Sequence, residues 1–278
     1  MNNYLKTDFD FDSDLLLELF DELPIWASPF GLKLLDNIKY RKNIAVLDIG
    51  FGAGFPLTEI AMRLGETCKI YGIDPWDAAI RRAKKKIEFY GIKNIEIING
   101  IAENIPLPDN SVELITSNNG LNNVESIEKS LSECSRITKT GGQLIHSYNL
   151  DTTMYEFYDL LKEILTTEKM DRELKELDNQ VYKKRKPLNE FVKLLELNNF
   201  KVTNTLNGQF DYKFADGTAM LNHYFIRLAF LDGWKSIIPQ EKQIEIFNRI
   251  ESLLNKKAEK DGYVSLSVPF VLLDCVKN

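Results

Sequence analysis

The sequence predicts an α/β protein with a doubly wound, mostly parallel sheet of seven strands and a helical cap. Two observations support this fold class. Between residues 44 and 149, short and continuous apolar runs alternate with helical segments, as expected for strands buried on both faces of a parallel sheet. After residue 150 the alternation gives way to longer helical stretches and two further strands. The chain therefore combines a regular β-α core with a less regular second half.

Apolar runs and turn residues define the individual elements. We expect the seven strands at residues 44–49, 68–73, 95–98, 112–117, 143–148, 200–206 and 264–276. We expect helices at residues 14–20, from 29, at 56–64, 78–90, 127–138, 153–168 and 188–198, and within 216–260. Ser28 is a candidate N-cap for the second helix, with Pro29 at its first position.

We interpret residues 1–278 as a single domain with three functional parts. Residues 44–149 would form the cofactor-binding core. Residues 1–40 would form an N-terminal helical cap segment. Residues 216–260, inserted before the last strand, would form a lid over the ligand end of the sheet.

The composition is that of a globular protein, with 44% hydrophobic residues, 27% charged residues and a net charge of -6. This balance argues against a broad nucleic-acid or anionic-membrane surface, which requires clustered Lys and Arg. The three cysteines are far apart, which indicates reduced thiols and gives no metal site. The N-terminus lacks a basic region followed by an apolar run, and no apolar stretch has the length of a membrane span. We therefore expect a cytoplasmic protein without a membrane span.

The most informative segment joins the first strand to the helix that follows it. It reads Asp48-Ile-Gly50-Phe-Gly52-Ala-Gly54, and its glycines permit a sharp turn and a close approach of the backbone to a ligand. Dinucleotide-binding turns carry glycines at the first, third and sixth positions, whereas the sixth position here is Phe55. This spacing, with an acid two residues before the first glycine, favours S-adenosylmethionine over NAD. The alternative is a tight turn without a ligand.

Asp74 ends the second strand and is the candidate partner of the glycine turn. A carboxylate at such a strand tip can accept hydrogen bonds from both hydroxyls of a ribose. The alternative role is an N-cap for the next helix, which Asp also performs well.

Together these motifs resemble the class I methyltransferase family, most closely the branch with ubiquinone and menaquinone biosynthesis methyltransferases. The resemblance covers residues 44–149 and includes three further segments. Residues 100–106 stand where the family reads Gly-Asp-Ala and then Leu-Pro, residues 112–118 match the fourth strand, and residues 131–142 match a Leu-x-Glu-x-x-Arg helix with a Gly-Gly turn. The resemblance implies a Rossmann-like methyltransferase fold and S-adenosyl-L-methionine as the cofactor.

The resemblance also implies roles for individual residues. Asp48 and the backbone of Gly50, Gly52 and Gly54 would hold the methionyl end of the cofactor, and Asp74 would bind its ribose.

The adenine side of the cofactor would lie against a second group of residues. Pro75 and Trp76 would lie beside the adenine, and Ala102 would present its backbone to the adenine edge. Ile101 departs from the family, which usually has an acid at this position to accept the adenine amino group. Either Glu103 takes over that contact, or the contact is made by the backbone alone.

The catalytic residue is not evident from the sequence. Asn118 and Asn119 would lie near the sulfonium, where amides can form hydrogen bonds but cannot take a proton. A general base is optional, because the cofactor already carries an electrophilic methyl group. The candidates for a catalytic role are Asn119, His146, His223 and Arg227. For His146 the alternative is a structural strand histidine.

The methyl acceptor is expected between the two cap segments. Residues 218–231 are apolar almost all round, which predicts a buried helix interrupted by Asn222, His223 and Arg227. His223 and Arg227 share a helix face, so Arg227 could bind an anionic substrate, unless the stripe is solvated or salt-bridged. The candidates for the acceptor pocket are Tyr4, Trp26, Phe30, Asn122, Tyr148, His223 and Arg227. The aromatic candidates are alternatively part of the core.

The sequence thus predicts an enzyme that transfers a methyl group from S-adenosylmethionine to a small organic molecule under a helical lid. An RNA or protein methyltransferase is one alternative. A non-catalytic protein that binds the cofactor is another, because a fold does not define a function. We expect a small-molecule partner and no nucleic acid.

Overall fold

The computed structural model describes residues 25–278, so the predicted helix at 14–20 and the pocket candidate Tyr4 lie outside the described residues. The strands are β1 (Ala45–Ile49), β2 (Lys69–Asp74), β3 (Ile95–Asn99), β4 (Val112–Asn118), β5 (Thr138–Asn149), β6 (Phe200–Phe214) and β7 (Val264–Lys277). They form one sheet in the order β3-β2-β1-β4-β5-β7-β6. β7 runs antiparallel to both of its neighbours, and the other pairs are parallel. The predicted seven-stranded, mostly parallel sheet is confirmed.

Helices cover both faces of this sheet. The main helices are α1 (Ala27–Asp36), α2 (Leu57–Leu64), α3 (Asp77–Phe89), α4 (Ile127–Ile137), α5 (Tyr155–Thr167), α6 (Asp171–Lys184), α7 (Leu188–Leu197), α8 (Gly217–Asn222) and α9 (Gln240–Asp261). Between α8 and α9 lie three short helical segments, Tyr224–Ile226, Arg227–Leu231 and Asp232–Lys235. The apolar sides of α1, α2 and α3 pack on one face, and those of α4 and α7 pack on the other. The chain is therefore doubly wound, as predicted. None of the helices within residues 25–278 is long and apolar enough to cross a membrane.

The strands β6 and β7 form a hairpin that extends past the carboxyl ends of the parallel strands. β5 ends at Asn149, which pairs with Phe270 of β7. β7 begins six residues earlier, at Val264, where it pairs with Phe214 at the end of β6. At about 3.3 Å per residue, the hairpin projects roughly 20 Å beyond β5. This is the edge at which parallel α/β sheets place their ligands.

A helical cap packs on the projecting hairpin and has its own hydrophobic core. This core joins side chains from α1, α5, α8 and α9 to the hairpin, including Phe30, Phe157, Met220, Ile250 and Phe270. The segment at residues 216–260 therefore stands beside the ligand edge of the sheet.

The predicted buried helix over residues 218–231 is wrong. α8 ends at Asn222, and the backbone of His223 is extended, with φ -62° and ψ 129°. Beyond this break, Tyr224 and Leu228 are 76% and 67% exposed. An apolar composition all round a helix predicts burial only if the helix is continuous. The break at His223 rotates the next turn relative to α8, so part of the apolar stretch faces outward.

The helix α6 is absent from the predicted elements. Its sequence is mostly charged, and its apolar side chains Leu174, Leu177 and Val181 form a narrow stripe against the cap core. Such a stripe gives a weak periodic signal, because most of the helix surface faces water.

Candidate cofactor and acceptor site

The glycine turn after β1 is held by main-chain hydrogen bonds. The Gly50 N–H donates to the Ile73 carbonyl over 2.9 Å, and the Gly54 N–H donates to the Phe51 carbonyl over 3.0 Å. Gly50 and Gly54 have φ values of 73° and 109°. Side chains with a Cβ rarely adopt these conformations, so the turn requires glycine at both positions.

A second glycine, Gly120 in the loop after β4, lies directly against this turn. A Cβ on Gly120 would be 2.1 Å from the Ile49 carbonyl oxygen, and a Cβ on Gly50 would be 2.6 Å from the Gly120 Cα. The end of β1 and the loop after β4 therefore pack backbone to backbone. The residues that the sequence predicts for the site do not include Gly120, although Asn119 and Gly120 form an Asn-Gly pair, which is typical of turns.

The Asp74 carboxylate links the glycine turn to the tip of β2. Its Oδ2 accepts a hydrogen bond from the Gly52 N–H (2.9 Å), and its Oδ1 accepts one from the Trp76 N–H (2.8 Å). Each carboxylate oxygen retains a further acceptor position. Asp74 therefore holds its own loop in place and can still accept hydrogen bonds from a diol.

Two apolar side chains stand at neighbouring strand tips beside Asp74. Asp74 pairs in register with Asn99, and each is followed two residues later by a large apolar side chain, Trp76 and Ile101. Trp76 is 65% exposed and Ile101 is 48% exposed. Exposed apolar surfaces at adjacent tips suit the faces of a flat aromatic base.

The other predicted adenine contacts have different surroundings. Pro75 is exposed and Ala102 is buried. The Glu103 Oε1 accepts hydrogen bonds from the N–H groups of Glu125 (2.7 Å) and Ser126 (3.0 Å), ahead of α4. Because these two hydrogen bonds already occupy the Glu103 Oε1, the backbone of Ala102 is a better candidate than Glu103 for a contact with the adenine.

The Asp48 side chain is buried beneath the turn and is only partly satisfied. Its Oδ1 accepts a hydrogen bond from the Thr116 hydroxyl (2.6 Å), whereas its Oδ2 is sealed without a partner. Desolvation raises the pKa of Asp48 to about 7; the Thr116 hydrogen bond opposes this shift and the charge of Asp74 adds to it. A cation beside Oδ2 would stabilise the charged form of this carboxyl.

The tip of β4 presents two buried amides. The Asn118 Nδ2 donates to the Ala27 carbonyl (3.0 Å), and its Oδ1 accepts from the Ser147 hydroxyl (3.0 Å). The Asn119 N–H donates to the same Ser147 hydroxyl (3.0 Å), and its Nδ2 is buried without a partner. Ser147, which is missing from the predicted site, thus positions both asparagines.

These groups fit S-adenosylmethionine. The unpartnered Asp48 Oδ2 suits the methionyl ammonium, and the unpartnered Asn119 Nδ2 can donate to an acceptor atom. Asp74 has free acceptor positions for the ribose hydroxyls, and Trp76 and Ile101 offer apolar surfaces for the adenine. The cofactor would lie across the tips of β1, β2 and β4.

A cavity of about 220 Å³ adjoins the tip of β4. Its walls come from the loop after β4, the start of α4, β5, the end of α6 with the residues after it, and α7. The lining residues are Leu121, Asn122, Val124, Glu125, Ile127, Glu128, Tyr148, Tyr182, Lys183, Lys184, Lys186 and Phe191. The rings of Tyr148 and Phe191 stack at 4.6 Å. Of the predicted pocket residues, Asn122 and Tyr148 line this cavity.

Asn122 connects the cavity to the amides at the tip of β4. Its Nδ2 donates to the Asn119 Oδ1 (3.0 Å) and to the Asn149 Oδ1, while its own Oδ1 is buried without a partner. Asn122 therefore joins the cavity lining to the buried amide of Asn119.

The catalytic candidate His146 is a buried strand residue. Its Nδ1 lies 3.1 Å from the Ser117 carbonyl, its ring contacts Tyr148 and Phe191, and it does not line the cavity. Burial lowers the pKa of His146 to about 4, so the ring is neutral at pH 7. These contacts agree with the structural alternative for this histidine.

His223 and Arg227 do not form the predicted pocket stripe. The ring of His223 packs edge-on against Phe214 at 5.3 Å, and its Nδ1 is buried without a partner. Arg227 is exposed, and neither residue lines the cavity beside β4. The Arg227 N–H donates to the His223 carbonyl over 3.0 Å, so the two residues belong to one helical turn, but this turn directs Arg227 to solvent rather than to the cavity.

Trp26 and Phe30 lie in a filled aromatic cluster. Trp26 contacts Phe30, Phe210 and Phe225 with ring centroids 5.3, 6.0 and 5.5 Å away. Phe30 is fully buried and contacts Phe270 at 4.7 Å. Both side chains tie α1 to the hairpin and the cap, and neither lines the cavity.

Comparison with known proteins agrees with this fold. Residues 47–146, from β1 to β5, match the methyltransferase domain family. The YcgJ protein from Bacillus subtilis superimposes with a TM-score of 0.57 over 90% of this chain and 98% of that one, at 17% sequence identity, which shows the shared fold.

Two curated relatives share the cofactor-binding core. The demethylmenaquinone methyltransferase of Geobacillus stearothermophilus is 28% identical over 127 residues, which cover 46% of this chain and 54% of the relative. The ubiquinone/menaquinone biosynthesis C-methyltransferase UbiE of Salmonella arizonae is 35% identical over 112 residues, which cover 40% of this chain and 45% of the relative. The chain spans about half the length of the curated relatives it matches.

The sheet order, the glycine turn with Asp74 and the family match identify residues 47–146 as a methyltransferase domain of the S-adenosylmethionine-dependent class. This domain is distantly related to the demethylmenaquinone and UbiE methyltransferases, and S-adenosylmethionine is the methyl donor of this class.

Proposed function

We propose that this chain transfers a methyl group from S-adenosylmethionine to a small organic molecule held in the cavity beside the tip of β4. The observation that carries the proposal is the set of incompletely satisfied groups around the glycine turn. Asp48 keeps one oxygen and Asn119 keeps one amide nitrogen without a partner, and both atoms are buried. Buried polar groups without partners are rare and favour a ligand that satisfies them.

The chain's own residues would bind and orient the reactants. When bound, the cofactor supplies a methyl group that is already electrophilic. The Ser147 hydroxyl fixes Asn118 and Asn119 at the tip of β4, next to the Asn122 amide of the cavity. Amides orient a nucleophile by hydrogen bonds but do not remove its proton at pH 7. Catalysis would thus depend on alignment and on exclusion of water.

The contacts of α1 support an enclosed site. The Ala27 carbonyl accepts a hydrogen bond from Asn118 (3.0 Å), and a Cβ on Gly31 would be 2.3 Å from the Phe55 ring. α1 therefore contacts both the tip of β4 and the glycine turn. We assign residues 1–40 and 216–260 to a cap that limits access to the site.

A small acceptor agrees with three further observations. The cavity of about 220 Å³ lies below the range of roughly 300–1,000 Å³ of sites for drug-sized ligands. The net charge of -6 does not favour an RNA partner. The curated relatives are named for methylation steps in quinone biosynthesis, which concern small organic acceptors.

Calorimetry tests the cofactor part of the proposal. We expect S-adenosylmethionine and S-adenosylhomocysteine to bind at one site per chain, and NAD not to bind. Binding of NAD alone, or of none of the three ligands, would contradict the proposal.

Transfer of a labelled methyl group tests the acceptor part. Purified protein and S-adenosylmethionine with a labelled methyl group are incubated with a cell extract, which is then separated into small molecules, RNA and protein. We expect label in the small-molecule fraction. Label in RNA or protein would favour those alternatives, and cofactor binding without any transfer would favour a non-catalytic role.

A further inference from the structure

A buried arginine stands between two residues that line the cavity, and it has no counter-ion in the described part of the chain. Arg185 directly follows α6 and is only 5% exposed. Its Nη1 is sealed from solvent and has no hydrogen-bond partner. Within the described residues, no carboxylate lies within 4 Å of its guanidinium. Arg185 is also missing from the residues that the sequence predicts for the site.

The surrounding groups do not neutralise this charge. Asp151 and Glu190 act electrostatically on the neighbouring Tyr148, but neither forms an ion pair with Arg185. Glu190 instead accepts a hydrogen bond from the Tyr182 hydroxyl over 2.7 Å. The carbonyls at the end of α6 carry partial negative charge, yet no described carbonyl accepts a hydrogen bond from the guanidinium. Because an unpaired buried charge is costly, an anion from solution would supply the missing partner.

Arg185 does not itself line the cavity, but three neighbouring residues do. Lys184 and Lys186, its two neighbours in sequence, line the cavity. The Tyr148 hydroxyl, also in the lining, donates to the Lys186 carbonyl over 2.6 Å. Burial raises the pKa of Tyr148, and the charge of Arg185 opposes that shift. The guanidinium is thus within electrostatic reach of a group that lines the cavity.

We propose that Arg185 binds an anionic group of the methyl acceptor, a carboxylate or a phosphate. The inference rests on the proposed function, and it narrows the substrate class to small organic acids or phosphates. The planar guanidinium can donate two parallel hydrogen bonds to either group. Among the charged residues of the cavity lining, the lysines Lys183, Lys184 and Lys186 outnumber the acids Glu125 and Glu128. The stacked rings of Tyr148 and Phe191 would contact an apolar part of the acceptor.

Thermal unfolding tests anion binding without any methyl transfer. Wild type, Arg185→Met and Arg172→Met are heated in sodium chloride, sodium phosphate or sodium benzoate at equal ionic strength. Arg172 is an exposed residue in the first turn of α6 and serves as the matched control. In chloride, we expect Arg185→Met to have a higher Tm than wild type, because it removes an unpaired buried charge.

The anions should reverse this order of stability. Phosphate or benzoate should raise the Tm of wild type and Arg172→Met by a few degrees and leave Arg185→Met unchanged. The responding anion identifies a phosphate or a carboxylate as the preferred group. Equal shifts in all three proteins, or no shift in wild type, would overturn the proposal. If Arg185→Met does not fold, Arg185→Lys replaces it and should show a reduced shift.

The labelled products of methyl transfer provide a second test. We expect them to bind an anion-exchange resin at pH 7, and Arg185→Met to reduce their yield at least tenfold. Binding of S-adenosylhomocysteine to Arg185→Met should equal that of wild type. Neutral or cationic products would contradict the role of Arg185 while leaving the proposed function intact. A wild type that responds to phosphate or benzoate but does not bind the cofactor would contradict the proposed function alone.

Discussion

Gly52 donates its backbone N–H to the Asp74 carboxylate over 2.9 Å, so the glycine turn after β1 and the tip of β2 form one unit. The same carboxylate accepts the Trp76 N–H. A single side chain thus positions the two loops against which the ribose and adenine of the cofactor are proposed to bind.

Substitution of Asp74 should weaken cofactor binding. Asp74→Asn replaces one acceptor oxygen with a donor, and this disturbs the hydrogen bonds to the loops and to the ribose hydroxyls. Hydrogen bonds to charged groups contribute about 1.5–3 kcal/mol, so the Kd for S-adenosylhomocysteine should rise roughly 10- to 100-fold in calorimetry. The exposed Asp261→Asn variant is the control and should bind as wild type does. An unchanged Kd in Asp74→Asn would remove Asp74 from the binding site.

Asp48 should make the ligand-free protein less stable as the pH rises towards 7. Its pKa in the folded chain is about 7, whereas an Asp in an unfolded chain titrates near pH 4. Between these values the folded state holds a proton that the unfolded state has released, so this residue lowers stability by about 1.4 kcal/mol per pH unit.

The isosteric Asp48→Asn variant provides the comparison, because its side-chain oxygen can still accept the Thr116 hydrogen bond. Urea unfolding at pH 5, 6 and 7 should show wild type losing stability relative to Asp48→Asn. Parallel pH profiles for the two proteins would mean that Asp48 titrates normally.

A methyl group on Gly120 should separate the β4 loop from the glycine turn. Gly120 has φ -64° and ψ -49°, which alanine readily adopts, so the cost of Gly120→Ala is steric. Its Cβ would lie 2.1 Å from the Ile49 carbonyl oxygen. We expect a destabilisation of roughly 1–3 kcal/mol by urea unfolding, together with weaker cofactor binding. Gly100→Ala, whose nearest contact would be an ordinary 3.5 Å, should change stability by less than about 1 kcal/mol. Equal effects of the two variants would contradict this account.

Arg136 should stabilise the segment between β3 and β4. Its guanidinium donates to Glu133, to Asp109 and to the carbonyls of Ile105 and Leu107, all within 2.8 Å. Arg136→Ala would leave these acceptors without a partner, so we expect a loss of about 2–3 kcal/mol in urea unfolding.

The control for Arg136 is Arg63, which forms an exposed ion pair with Glu59 at 3.1 Å. Exposed pairs contribute little, so Arg63→Ala should cost less than about 1 kcal/mol. A similar small effect of Arg136→Ala would show that its hydrogen bonds are replaced by water.

The glycine turn and the position of Asp74 beside it could be predicted because their signals are local. The spacing of Gly50, Gly52 and Gly54 describes one turn, and the strand-helix alternation places Asp74 at the neighbouring strand tip. Backbone conformation at such turns depends mainly on the residues in the turn itself. The local pattern could not show that the Glu103 carboxylate is used by the start of α4, because its partners are distant in sequence.

The sequence by itself thus determined the fold class, the turn and the identity of the methyl donor. Only the tertiary structure decided what surrounds the cavity beside β4. It brings Asn122, Tyr148 and Lys184 together from three separate elements, and it buries Arg185 without a counter-ion among residues 25–278. It also interrupts the helix between Asn222 and Tyr224 and leaves Arg227 exposed. Burial and charge pairing depend on which distant segments pack together, and hydrophobic periodicity does not specify those partners.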